Sequence, residues 1–207
     1  MKISLKTLSL LLVSALIANA DTISSNLSNA TAGTEAASGN TWLTVSFGTG
    51  TSSDTLSSVT LLLSNPIAGV AEVDLYSNSL LQPGFLVGTL TSPLSYSTSL
   101  SNTSFSSNGL ALSANSTYWL VLKALSGEFD WAWTSDNTGT GTGFQGTWGS
   151  STDAGVTWYT YAVYPTQFSV TTTAAAVPEP GTRLLAIGGL LVGAMALYTK
   201  RRTQGKS

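Results

Sequence analysis

Acidic side chains are the first candidates for chemistry in this 207-residue sequence, because it contains no Cys and no His. Thiol catalysis, disulfide bonds and zinc centres are therefore excluded, as is acid–base catalysis by imidazole. Glycoside hydrolysis needs two carboxylates about 5–9.5 Å apart in a cleft. A domain this acidic could place two at that distance, but no pair stands out, so we predict no catalytic residue and no enzyme. A hydrolase would draw on Glu128, Asp130, Asp136 and Asp153.

A glycine-rich loop offers oxygen ligands for a hard cation. Residues 136–143 read Asp-Asn-Thr-Gly-Thr-Gly-Thr-Gly, and Ca²⁺ prefers carboxylate, amide and carbonyl oxygens. The spacing matches neither the EF-hand nor the nonapeptide-repeat pattern. We therefore interpret the segment as a flexible, turn-rich loop, and we predict no metal and no cofactor.

Aromatic side chains in the last third of the chain could form a platform for sugar rings, whose apolar C–H patches stack on aromatic faces. The residues concerned are Trp131, Trp133, Trp148, Trp158, Tyr159 and Tyr161. Trp131, Trp133 and Trp158 are expected in the core, because the residues that alternate with them are small or polar. Trp148 stands in a predicted glycine-flanked loop, so it is the candidate ligand platform.

The charge of the chain is distributed unevenly. Charged residues make up only 9% of it, whereas Ser and Thr form about a third of residues 21–177. That stretch contains one cation, Lys123, against nine Asp and Glu. Nucleic-acid binding needs Lys and Arg to contact phosphates. Nucleic acid is therefore excluded as a partner.

Short stretches of alternating apolar and polar residues recur along the chain, bounded by Gly, Pro, Asn and Ser. Such alternation predicts half-buried β-strands. In segment 42–47, for example, Leu43, Val45 and Phe47 share one face. A Pro83-Gly84 turn precedes the fourth of these strands. The further segments lie at 59–63, 71–75, 85–90, 118–123, 129–133, 156–164 and 167–171.

These segments predict an all-β fold. Segment 118–123 is apolar on both faces, which is typical of a central strand, and residues 21–177 show no sustained helical period. About eight to ten short strands with frequent turns indicate an antiparallel, jelly-roll-like β-sandwich over residues 41–170. Residues 21–40 are either a flexible leader or an edge strand. Residues 171–177, small and uncharged, are predicted to be a linker.

Residues 1–20 have the three parts of a secretion signal: a basic start, an apolar run and small residues at Ala18 and Ala20. This pattern predicts export through the Sec translocon and cleavage by signal peptidase after Ala20. A retained membrane helix is the alternative. The apolar run at 8–17 reaches only ~15 Å as a helix, half of a ~30 Å hydrocarbon layer.

The C-terminal residues combine a proline motif, an apolar helix and a basic cluster. Residues 177–182 read VPEPGT, and an apolar transmembrane helix is predicted at 184–199. The two prolines hold the motif extended, the conformation in which peptidases bind substrates. By the positive-inside rule, the cytoplasmic stop-transfer cluster leaves all upstream residues outside; it consists of Lys200, Arg201 and Arg202.

This ending resembles the PEP-CTERM sorting signal of Gram-negative bacteria and covers residues 178–207. The resemblance implies an exosortase, a membrane-embedded Cys transpeptidase or protease, that releases the ectodomain from the helix. It also implies a precursor anchored in the inner membrane, then a cell-surface or extracellular product. A one-pass anchor that is never processed is the alternative. The motif that the exosortase would recognise is Pro178, Glu179, Pro180, Gly181 and Thr182.

The body of the chain resembles the choice-of-anchor ectodomains, of the R type. The resemblance rests on WLTVSFGTG, LSSVTLLL, VDLYSN, PGFLVGTLT and NSTYWLVL in this order, and it implies no catalytic residue. PEP-CTERM proteins occur beside exopolysaccharide export, which implies a non-catalytic surface or matrix protein linked to biofilm. The alternative is a carbohydrate-binding module anchored to the envelope, with exopolysaccharide as its partner.

Overall fold

The computed structural model describes residues 20–175, and within them it contains strands and no helix. The all-β prediction is therefore confirmed. No helix in this range is long and apolar enough to cross a membrane. The predicted signal peptide and the helix at 184–199 lie outside the described residues. The strands are β1 Ala20–Ser25, β2 Gly33–Ala37, β3 Trp42–Gly48, β4 Asp54–Ser79, β5 Gln82–Thr89, β6 Ser101–Ser106, β7 Ala111–Leu112, β8 Thr117–Trp133, β9 Phe144–Ser151, β10 Tyr159–Tyr161 and β11 Phe168–Ala174.

Every strand pairing is antiparallel, as predicted. The hydrogen-bonded order is β1-β11-β4-β8-β3-β9-β10, with β2 added to β8 and with β5, β6 and β7 added to β4. Strand β8 pairs with β2, β3 and β4, so the prediction of a central strand at 118–123 is confirmed. The early part of β4 pairs with β6 and β11 and its late part with β5 and β8, an arrangement consistent with a β-sandwich.

The separate short strands predicted at 59–63 and 71–75 are in fact one strand, β4, and 118–123 and 129–133 likewise join in β8. The pairing of β4 with β8 shifts register three times between Ser64 and Ala71. Asn65 satisfies the backbone there, since its Nδ2 donates to the carbonyl oxygens of Ile67 (2.8 Å) and Glu128 (2.7 Å). The two strands therefore bend without ending.

A glycine lets these strands approach each other at the bend. A Cβ atom on Gly69 would stand 1.9 Å from the carbonyl oxygen of Ser126, a distance that no side chain tolerates. The opposing Gly127 has a φ of +70°, which glycine adopts without steric cost. Pro66 and these glycines mark breaks in the sequence pattern, but in the structure they mark a bend.

The first hairpin turn differs from the prediction. The turn between β4 and β5 consists of Leu80 and Leu81, and Pro83 and Gly84 lie inside β5. Pro83 can occupy this strand because β5 is an edge strand that pairs with β4 alone. The turn predicted at Pro83-Gly84 is therefore wrong by three residues.

The core is a single cluster to which both halves of β4 contribute. On β3, the core residues are Leu43, Val45 and Phe47, which the alternation at 42–47 predicted to share one face. The reverse face of β3, β4 and β8 carries a second layer, in which Trp119 and Val121 are buried but lie outside the core cluster. The largest buried core side chains are Trp131, Phe47, Phe105, Phe129, Phe168, Leu43, Leu56, Leu61, Leu63, Leu75 and Leu112.

The two ends of the domain pair with each other. Ala20 at the start of β1 lies opposite Thr173 in β11. Within 21–40, Asn26 is buried and accepts a hydrogen bond from the amide of Phe168 (2.8 Å). Strand β11 also extends through 171–174 into the predicted linker, because these residues pair with both β1 and β4.

Candidate functional site

The sorting residues predicted from the sequence lie outside the described part of the chain, with one exception. Ala20, the predicted cleavage position, is the first residue of β1 and is exposed. The residues outside are Ala18, Pro178, Glu179, Pro180, Gly181, Thr182, Lys200, Arg201 and Arg202.

Trp148 does not lie in a loop, contrary to the prediction. It belongs to β9, opposite the core residue Val45, and its half-buried ring packs against the core. Its Nε1 donates to the carbonyl oxygen of Val163 at 2.8 Å. The neighbouring Tyr161 is 45% exposed, and its ring centroid lies 5.1 Å from that of Trp148. Trp148 therefore supports an exposed tyrosine, and the free aromatic face belongs to Tyr161.

Of the other aromatic residues, one was placed correctly and two were not. Trp131 is buried as expected, with its Nε1 donating to the carbonyl oxygen of Gln167 at 2.9 Å. Trp133 and Trp158 are half-buried and lie outside the core cluster, so placing them in the core was wrong. Trp133 is the last residue of β8, where its ring packs against Tyr164 at 5.7 Å. Trp158 precedes the short edge strand β10.

The glycine-rich loop at 136–143 is rich in turns, but hydrogen bonds attach it to the rest of the domain. The backbone amides of Ser25 and Thr140 each donate to the carbonyl oxygen of the other (2.9 and 2.7 Å), which ties the loop to β1. Asp136 accepts from the amide of Thr138 (2.9 Å), a bond that lowers the pKa of its carboxyl. Two of the candidate cation ligands, the Oδ1 atoms of Asp136 and Asn137, thus accept hydrogen bonds from backbone amides. No cluster of three metal-ligating side chains occurs within residues 20–175.

Asp153 organises the loop between β9 and β10. Its Oδ2 accepts from the hydroxyl of Thr157 (2.6 Å), and its Oδ1 accepts from the amide of Thr157 (2.9 Å) and the hydroxyl of Ser151 (2.8 Å). These bonds, those from Thr157 first, lower the pKa of Asp153 to about 2. The carboxylate of Asp153 therefore stabilises the conformation of this loop.

A groove of about 360 Å³ on the reverse face of the sheet is the candidate binding site. Its size lies at the lower end of the ~300–1,000 Å³ of ligand pockets. The residues come from five strands, the β4–β5 turn and the residue after β10. They are Ser46, Asn78, Leu81, Thr117, Trp119, Gln145, Thr147, Thr160, Tyr161 and Ala162.

The hydrogen bond between Trp119 and Asn78 fixes the orientation of one groove amide. The Nε1 of Trp119 donates to the Oδ1 of Asn78 at 2.9 Å. Since indole nitrogen can only donate, the Asn78 oxygen must face it, and the Nδ2 must point elsewhere. Asn78 is exposed, and among residues 20–175 its Nδ2 donates to no side chain or backbone group. It therefore presents two free N–H donors.

Other polar atoms of the groove are also unused. Gln145 donates through Nε2 to the hydroxyl of Thr117 (2.9 Å). In the described part of the chain, the Oε1 of Gln145 and the hydroxyl of Thr160 have no partner. The groove thus offers acceptors and hydroxyls beside the Asn78 donors. No lining residue is a carboxylate, an amine or a guanidinium.

Leu81 forms one border of the groove in a strained conformation. Leu80 and Leu81 have φ angles of +51° and +66°, as a two-residue turn between right-twisted strands requires. Asn and Gly are preferred in such turns because the left-handed region costs other residues about 1–2 kcal/mol each. The two side chains are 93% and 73% exposed. Strain of this kind is typical of functional sites.

The same sheet face ends in a charged cluster beyond the groove. Lys123 donates to Asp74 and to Glu72 (3.1 Å to its Oε1), and its Nζ lies 4.6 Å from the centroid of the Trp42 ring. Burial alone would lower the pKa of Lys123, but the hydrogen bonds to Asp74 and Glu72 outweigh it, so the pKa is raised. Asp74 is only 1% exposed. The single cation of residues 20–175 is therefore committed to neutralising buried acid.

Sequence reasoning missed the groove residues other than Tyr161 and missed the charged cluster. Alternation along β3, β4 and β8 could have assigned Ser46, Asn78 and Thr117 to the face opposite the core. The chain matches no known protein-family model, and comparison with curated proteins gives no match either.

Proposed function

We propose that this chain is an exported, non-catalytic surface or matrix protein that an exosortase processes. The observation that carries the proposal is the ordered C-terminal series of VPEPGT, apolar segment and basic cluster, combined with a secretion signal at residues 1–20. The precursor is anchored in the inner membrane, with exopolysaccharide or biofilm as its destination. Its ectodomain is a jelly-roll-like sandwich of the choice-of-anchor type.

The composition of the domain supports this role. An acidic, Ser- and Thr-rich body with one cation is suited to remaining soluble and unattached to nucleic acid. Asp136 and Asp153 accept hydrogen bonds from their own loops, so each carboxylate has a structural use.

Replacement of Glu179 by Ala tests the sorting proposal. In the producing bacterium, we expect Glu179→Ala to keep the C-terminal segment attached, raise the intact mass of the product and retain it in the membrane fraction. Glu35→Ala is the matched control, because Glu35 is an exposed acid in β2. An unchanged mass and fractionation pattern for Glu179→Ala would contradict exosortase processing.

A second candidate function is an envelope-anchored carbohydrate-binding module, and the groove specifically favours it. Its unpaired amide and hydroxyl groups can bond to sugar hydroxyls, and the exposed side chain of Leu81 can contact an apolar sugar face. Saturable binding of the full-length chain to a polysaccharide is the test. A chain that binds none in affinity electrophoresis would remove this candidate and leave the sorting proposal untouched.

A further inference from the structure

We propose that β5 is the strand through which two copies of this chain pair, edge to edge and antiparallel, around a two-fold axis. This pairing goes beyond the proposed function, because neither sorting nor glycan binding requires a second copy. It follows from three features of β5: its free edge, its exposed apolar side chains and the absence of charge around it.

Strand β5 is a free edge of its sheet. It pairs with β4 alone among the described residues, so the backbone groups on its other side have no strand partner there. Its pairing with β4 shifts register twice, and Ser77 fixes the irregular part, since its Oγ accepts from the amide of Phe85 at 3.0 Å. Pro83 is buried and confined to the start of the strand. The edge from Phe85 to Thr89 is therefore open to another strand.

The side chains along this edge are apolar and exposed. Phe85 is 84% exposed, Leu86 55% and Val87 38%, and Leu80 in the preceding turn is 93% exposed. Contiguous exposed apolar residues are typical of interaction sites. An extended strand suits this edge as a partner, because it supplies backbone hydrogen bonds and apolar contacts together. A lipid surface would cover the side chains but leave the backbone groups unpaired.

The other edge strands of the described domain are protected in ways that β5 is not. Strand β1 carries Asp21, β2 carries Glu35, and β6 exposes only Ser and Asn side chains. Strands β7 and β10 have two and three residues. Charged residues and short length are the usual means of preventing edge-to-edge pairing. Among the edge strands of residues 20–175, β5 alone is long, uncharged and exposes apolar side chains.

The distribution of charge selects a second copy as the partner. Residues 75–122 contain no charged side chain, and the acids and the cation of the domain lie outside this stretch. Two copies of an acidic domain repel each other over most of their surface, and like charges opposite each other on paired strands are destabilising. Around a two-fold axis β5 would face itself. It carries no charge that would repel its own copy, and a charged partner would find no opposite charge on it.

The absence of Cys from the chain permits a direct test. Leu86 lies near the middle of β5, so a Cys at this position would lie close to its counterpart across the axis. Mild oxidation of the full-length Leu86→Cys chain in the producing bacterium should give disulfide-linked dimers. Tyr159→Cys on β10 is the matched control, with an exposure of 60% against 55%, and should give few. Equal cross-linking at the two positions, or none at Leu86→Cys, would contradict the pairing.

Sedimentation velocity of the purified full-length chain gives a second test. We expect a dimer that dissociates on dilution. Phe85→Lys should weaken the association about tenfold or more, because a two-fold interface receives the introduced charge twice. Val156→Lys is the matched control, since Val156 is 80% exposed and lies between β9 and β10, and it should leave the dimer unchanged. Circular dichroism would verify that both variants are folded.

Each other result of sedimentation would overturn the inference. A chain that is monomeric at every concentration has no such contact, and a dimer that both Lys variants affect equally forms elsewhere. A mass that keeps growing with concentration would exclude two-fold pairing, because a two-fold contact closes at the dimer. None of these results bears on exosortase processing or on glycan binding, which have their own tests.

Discussion

The two ends of one sheet face use polar residues in opposite ways. At one end, Lys123 donates hydrogen bonds to both Glu72 and Asp74, and Asp74 is almost fully buried. At the other end, Asn78 and Gln145 line a groove and keep polar atoms without protein partners. Strands β4 and β8 contribute residues to both ends, and β3, β9 and β10 add to the groove.

This difference separates a structural arrangement from a binding one. Charges that are already paired with each other have little left to offer a ligand, whereas unpaired neutral groups gain hydrogen bonds when a ligand arrives. A substitution in the charged cluster should therefore change the free energy of unfolding, and one in the groove should change affinity. Substitutions that do not follow this division would contradict the assignment of the two ends.

The largest expected effect is from Lys123→Met. Removal of the cation leaves the buried carboxylate of Asp74 unpaired, and loss of one partner of a buried ion pair destabilises proteins by about 3–5 kcal/mol. Urea denaturation of the full-length chain would measure it. The double variant Lys123→Met/Asp74→Leu should recover most of the loss, because it removes both buried charges. A loss below about 1 kcal/mol for the single variant would mean that the cluster is weakly coupled.

The pH dependence of the same variant tests whether Lys123 stabilises the chain through its charge. The pKa of Lys123 is raised in the folded chain, so its stabilising contribution is complete below the ordinary lysine value and is lost as pH rises through the folded value. The difference in unfolding free energy between wild type and Lys123→Met should therefore stay constant through neutral pH and shrink in strong alkali. A difference that vanished near neutral pH would contradict the pairing.

The next largest effect is an increase in the free energy of unfolding. Replacement of Leu80-Leu81 by Asn-Gly should stabilise the chain by about 2 kcal/mol, because two residues leave an unfavourable left-handed conformation. The same change should weaken glycan binding, since it removes Leu81 from the groove. Leu80→Asn alone should stabilise without affecting affinity, because Leu80 does not line the groove. Unfolding and calorimetry on the three proteins would show whether the strain serves the ligand.

The smallest effect is expected from Asp153→Asn. The carboxylate holds the β9–β10 loop through Thr157 and Ser151, and its pKa is lowered to about 2. Its contribution is therefore present above the ordinary Asp value and lost as pH falls through about 2. We expect a slightly lower melting temperature at neutral pH and an unchanged one well below pH 2, with glycan affinity unaffected. A marked loss of affinity would place this loop in the binding site.

Alternation alone predicted much of the core, as well as β3 and parts of β4, β5, β8, β10 and β11, but it missed β2, β6, β7 and β9. Leu43, Val45 and Phe47 were assigned to one face correctly, and 118–123 was identified as a central strand. It could not reveal that β4 and β8 continue through their bends. The signals there, Pro66 and Gly69 above all, are the ones that usually end a strand, and hydrogen bonds to the side chains of Asn65 and Ser126 compensate for them.

The groove could not be predicted because its residues are far apart in sequence. Ser46, Asn78, Thr117 and Thr160 come together only through the order in which strands pair. Trp148 was chosen as the platform because its flanking glycines indicated a loop, yet they allow close packing in a strand: a Cβ on Gly149 would lie 2.6 Å from the carbonyl oxygen of Tyr159. The neighbouring Tyr161 holds the exposed position.

The pairing of Asp21 with Thr172 has a practical consequence for engineering. Because the chain enters and leaves the sheet side by side, a short connector could join the two points, and new ends could be opened at an exposed turn elsewhere. The body could equally be grafted into a surface loop of an unrelated scaffold without stretching it. This fold is therefore suited to permutation and to modular display.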